Sequence, residues 1–134
     1  MFQNYNNNIS LVSRPYFIIL ISGIIASAVT IPAIIPHITH PDMIYHILVH
    51  FAGLILALFL TIISILAYLR TPKSRILFMT FGFFTLVLVE MIYLFNATED
   101  IFVLVIPNVN IEISHLFLLV MVTLFGIGFI KGNK

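Results

Sequence analysis

Residues 43–69 read MIYHILVHFAGLILALFLTIISILAYL, a run with no Asp, Glu, Lys or Arg. A bilayer hydrocarbon core of about 30 Å is crossed by roughly 20 apolar helical residues, so this stretch is long enough to span. Its apolar side chains show no period-2 alternation of the kind a membrane barrel needs. Working outward, three more stretches qualify: about 15–35, 74–95 and 111–130. Pro15 stands where a helix-opening proline belongs and Pro36 just beyond the helix end. Composition agrees: 61% of the residues are hydrophobic and 8% are charged, against roughly 45–50% and about 25% for soluble domains. The predicted fold is all-α, an integral membrane four-helix bundle over 15–134 with a polar, Asn-rich arm at 1–14.

Arg14 followed by an apolar run and Ala26-Ser27-Ala28 also resembles a secretory leader with its small-residue cleavage site. The apolar stretch continues to Ile35, so a retained span is expected. Short links, 36–42 and 70–73, make consecutive helices antiparallel neighbours. The third link is longer. Its Ile101–Ile106 run is too short to cross and is expected to lie at the interface or against a partner.

Charge sorts by side. Arg14, Arg70, Lys73, Arg75, Lys131 and Lys134 are the 6 basic residues, and with four spans all fall on one side. The positive-inside rule makes that side, and both termini, cytoplasmic. Asp42, Glu99, Asp100, His37 and His40 fall on the other, and His46, His50, Glu90, Glu112 and His115 occupy the outer halves of spans. Net charge is +1 with no basic patch, so nucleic acid is not an expected partner; the bilayer is. With no cysteine there are no disulfides, thiolate ligands or Cys nucleophiles. Asn96-Ala97-Thr98 is an outer-side glycosylation sequon expected to go unused so close to a helix end; Asn8-Ile9-Ser10 is on the inner side.

His46 and His50 are one helical turn apart, and Gly53, Ala57, Thr61, Ser64 and Tyr68 continue the same small, polar stripe. Small residues let transmembrane helices approach closely, so the stripe is expected to face protein. Gly23 and Ser27 are the corresponding contact pair on the first helix. An ionisable group inside a span needs a partner or water, which singles out Glu90. Glu112 and His115 share a face at the start of the fourth helix. His-x3-His and Glu-x2-His are spacings of metal sites in helical bundles. One reading is therefore a metal centre with His50, Glu90 and His115 as ligands and His46 and Glu112 beside them, suited to copper, zinc or iron. The other readings are a structural His–Glu pair that fixes helix register, a proton path, and a bis-His haem between His50 and His115. No catalytic residue is assigned. His37 and His40, in a Pro-bounded loop, could hold a surface metal but read more simply as polar loop residues.

The run His46-x3-His50-x2-Gly53, then Tyr68-x-Arg70, Glu90 and Ser114-His115 resembles small archaeal four-helix membrane proteins, in particular the accessory helical subunits of archaeal ammonia monooxygenase. That resemblance implies a non-catalytic subunit that packs against larger membrane subunits of a copper-dependent oxidoreductase complex. The catalytic copper ligands would belong to those other subunits. Alternatives from the residues themselves are a membrane metal- or haem-binding protein and a small proton-coupled sensor or transport module.

Overall fold

A computed structural model describes residues 15–35, 38, 39, 41–96, 105, 106 and 111–131. The arm at 1–14, His37, His40, Glu99, Asp100 and residues 101–104 lie outside the described residues. Four helices are long and apolar enough to cross a membrane: α1 (Pro15–Ile34), α2 (Pro41–Arg70), α3 (Ser74–Asn96) and α4 (Ile113–Lys131). Between α3 and α4, β1 (Val105–Ile106) pairs antiparallel with β2 (Ile111–Glu112).

The boundaries follow local chemistry. α2 opens at Pro41, two residues before the expected start, because proline is pre-set for the first helical position and Asp42 follows in the first turn, where the helix dipole favours an acid. Pro72 stops α2, and the Thr71 amide donates to the Ala67 carbonyl to close its last turn (2.9 Å). Hydropathy alone starts the fourth span at 111. The helix begins instead at Ile113, because Ile111 and Glu112 are drawn into the pairing with β1. α1 continues through Pro32 in its last turn, which leaves the Ala28 carbonyl without its usual intrahelical amide. At about 1.5 Å per residue, the 30-residue α2 is about 45 Å long, so it overreaches a ~30 Å core and must tilt or project.

The helices pack in chain order: α1 on α2, α2 on α3 and α3 on α4, with α1 touching α3 lightly and no extensive seam between α1 and α4. The bundle is thus an open row with α2 and α3 at its centre. The buried positions of α2 are Ile47, Leu54, Ala57, Thr61 and Ser64, with His50 half-buried among them. They alternate steps of three and four, the seam of gently crossing helices. The expected stripe holds from His50 and Gly53 through Ala57 to Ser64, with Ile47 and Leu54 buried beside it, and His46 is exposed.

On α1 the buried face is Ile18, Ser22, Ala26, Thr30 and Ala33. The expected Gly23–Ser27 pair lies to one side of it: a Cβ at Gly23 would meet nothing within 4 Å. Both Ser22–Ala26 and Gly23–Ser27 satisfy the small-residue rule, and α2 packs on the first. α3 and α4 close on each other through glycine. A Cβ at Gly82 would come 2.6 Å from the Phe125 ring, and one at Gly128 3.3 Å from the Phe78 Cβ. Phe125 also meets Phe83 edge-on (5.1 Å between centroids) and the Lys131 ammonium sits over Phe78 (4.6 Å).

The Gly82–Phe125 contact generates a prediction. Gly82→Val forces the ring out of its seat and is expected to destabilise the protein by about 2 kcal/mol, the scale of core overpacking. Phe125→Leu in the same chain should recover part of that loss. Thermal unfolding in mild detergent measures both, and an unchanged midpoint for Gly82→Val would contradict the packing.

Candidate functional site

Glu90 lies about 9 Å from the Asn96 end of α3, at ~1.5 Å per residue. Its carboxylate therefore needs a partner inside a span, and α2 supplies it: His50 Nδ1 and Glu90 Oε2 are 2.9 Å apart. One proton satisfies both atoms. With Glu90 ionised, the Nδ1–H donates to Oε2; with Glu90 protonated, its hydroxyl donates to a bare Nδ1. Each side chain is 17% exposed, so the pair is sheltered and worth more than a surface ion pair.

Gly53 makes room for it. A Cβ at that position would stand 2.7 Å from the Glu90 carboxyl carbon and Oε1 and 2.9 Å from Oε2. Gly53, one turn along from His50, is the floor on which the carboxyl rests. Tyr93 lies nearly parallel to the His50 imidazole (4.7 Å, 22°), and the His46 ring meets the same imidazole edge-on (4.7 Å, 76°). Tyr93 is a member of the site that the sequence reading does not single out. The signal for it is helical spacing, since Glu90 and Tyr93 are three apart on one helix and so share a face.

Further along the same helix pair, the Ser64 and Thr80 hydroxyls are 2.6 Å apart, and Thr80 donates to the Ile76 carbonyl (2.8 Å). The α2–α3 seam is thus pinned by one polar contact toward each end.

The five candidate metal ligands resolve into two groups. His50 pairs with Glu90, and His46 touches the His50 ring. Glu112 and His115 form a separate contact of 3.8 Å, with side chains 45% and 64% exposed, and Ser114 Oγ donates to Glu112 Oε2 (3.2 Å). Glu112 stands in β2 rather than on the fourth helix, so the expected Glu-x2-His helical motif is not formed. Among the described residues no group of three or more His, Cys, Asp or Glu side chains is placed to hold a metal ion. The five side chains thus stand as two separate contacts, His50–Glu90 with His46 beside it and Glu112–His115. Asn96 ends α3 with its side-chain oxygen buried.

Comparison with protein-family models, with curated proteins and with solved structures gives no match. The chemistry of the site must be read from its own atoms, and those atoms describe a clamp between two helices.

The clamp has a test that leaves both partners in place. Gly53→Ala should lever the Glu90 carboxyl off His50. The net stability change is expected to stay within about 1 kcal/mol, because alanine gains about that much helix propensity over glycine while a hydrogen bond of similar net worth is lost. The decisive readout is the His50 imidazole nitrogen signal by NMR. In Gly53→Ala it should match that of Glu90→Leu. An imidazole signal unchanged from the parent would show that Gly53 does not seat the carboxyl.

Proposed function

We propose that this chain is a non-catalytic transmembrane subunit that docks into a larger helical assembly through the outward face of α1. The observation that supports this is a shallow trough on α1 of about 590 Å³, lined by Leu20, Gly23, Ile24, Ser27, Ala28 and Ile31. A second transmembrane helix fits such a surface, because small residues let backbones approach closely and van der Waals packing drives helix association in lipid. The polar side chains of the α2–α3 seam are used for intrachain contacts, which suits a structural role. The specific assembly proposed is an archaeal ammonia monooxygenase, on the resemblance carried by His46, His50, Gly53, Tyr68, Arg70, Glu90, Ser114 and His115. In this reading the basic end of the bundle, with both termini, faces the cytoplasm, and the histidine-bearing end faces outward, in keeping with the one-sided basic residues.

The test uses the empty space at Gly23. A Cβ there meets nothing within 4 Å among the described residues, so Gly23→Leu should leave melting unchanged while filling the trough. The expected outcome is fixed-stoichiometry co-purification of the parent with larger membrane subunits, and at least a tenfold loss of that association in Gly23→Leu, about 1.4 kcal/mol. Isolation of the parent as a stable single chain from native membranes in mild detergent would overturn the proposal. A second reading, a small proton-coupled sensor or transport module, draws on the single proton held between His50 and Glu90. It requires the chain to act alone, so the same purification separates the two.

A further inference from the structure

The contact between α1 and α2 is not closed along its whole length. At the basic end the two helices part around a groove of about 200 Å³ lined by Pro15, Ile18, Ile63, Leu66, Ala67 and Arg70. Ile63 and Arg70 mark its two ends on α2, so it runs about 10 Å along the helix axis at ~1.5 Å per residue. Its lining is aliphatic except for Arg70. Arg70 is exposed and closes α2, and Lys73 follows in the turn. Among the described residues no carboxylate forms an ion pair with Arg70; the two ion pairs present belong to His50–Glu90 and His115–Glu112.

An apolar channel lying along a membrane-spanning helix, with a cation that no described carboxylate pairs at the end where the helix leaves the hydrocarbon, has the polarity of one lipid molecule. An acyl chain replaces nothing polar in the groove. A phosphate at the mouth gives the guanidinium planar, two-point hydrogen bonding that water does not. We propose that this groove binds a single anionic phospholipid from the leaflet at the basic end, with a hydrocarbon chain along Ile63 and Leu66 and its phosphate on Arg70. Charge complementarity selects an anionic over a zwitterionic headgroup, because the latter carries its own cation toward Arg70 and Lys73. The site is distinct from the α1 trough and does not rest on any partner subunit.

Arg75 provides an internal control. It carries the same charge near the same turn, but its backbone carbonyl lies against Gly128 on the α3–α4 side, away from the groove. The experiment is native mass spectrometry of the full chain released from nanodiscs of mixed phosphatidylcholine and phosphatidylglycerol. The parent is expected to retain one phosphatidylglycerol through a detergent exchange that strips phosphatidylcholine. Arg70→Gln should lower that retention about tenfold, the fold-change of a lost charge-assisted hydrogen bond, and Arg75→Gln should leave it within about twofold. Ala67→Leu, which fills the groove without touching the charge, should also abolish it. If Ala67→Leu fails to fold, Ile63→Phe at the other end of the groove, a position already exposed, serves in its place. Equal loss in Arg70→Gln and Arg75→Gln would reveal a diffuse cationic band and overturn the site. So would full retention in the groove-filling variant. Displacement of the bound lipid by inorganic phosphate alone would overturn the acyl-chain half of the proposal.

Discussion

A carboxyl group within a transmembrane helix is the constraint around which this fold is arranged. Glu90 must be partnered or hydrated, and α2 partners it by presenting His50 at the same depth and Gly53 beneath the carboxyl. That requirement fixes how far α2 and α3 slide past each other and how each is rotated. With those set, Ser64 meets Thr80 toward the other end of the seam. α3 then offers Gly82 to Phe125, which seats α4. On α1, Ser22 bonds the Ile18 carbonyl of its own helix. This helix is held by the fit of Ser22, Ala26 and Thr30 against α2, and it forms one edge of the row.

Different levels of this structure are legible in the sequence to different degrees. The four spans can be read because an uncharged apolar run of bilayer length is rare outside a membrane-spanning helix. The shared depth of His50 and Glu90 can be read because helical rise is constant. Rotation about a helix axis cannot. Where almost every side chain is apolar, stepping from one residue to the next turns the face by about 100° with little change in composition. Hence Ile47 replaces His46 in the seam, and Ser22 replaces Gly23 on the buried face of α1. Glu112 departs from expectation for a different reason. Its position depends on pairing between Ile111–Glu112 and Val105–Ile106, a contact across a loop that helical periodicity does not encode.

The same rotational uncertainty accounts for the metal reading. Spacing places two histidine–acid dyads at similar depth, and depth alone suggests one centre. Orientation separates them into a sheltered couple, flanked by Tyr93 and His46, and an exposed pair at the start of α4. Polar residues of the seam thus act on this chain's own architecture. α1 presents the trough around Gly23 on one side and borders the Arg70 groove on the other.

The measurement closest to the central claim is a double-mutant cycle on the clamp, using His50→Ala, Glu90→Leu and the double variant, with reversible unfolding followed in one bilayer mimic. The account predicts a coupling energy of about 1–2 kcal/mol between the two substitutions, within the range for residues sharing a hydrogen bond. Additivity within about 0.3 kcal/mol would mean that the two side chains do not support each other. The clamp would then not be what holds α2 against α3.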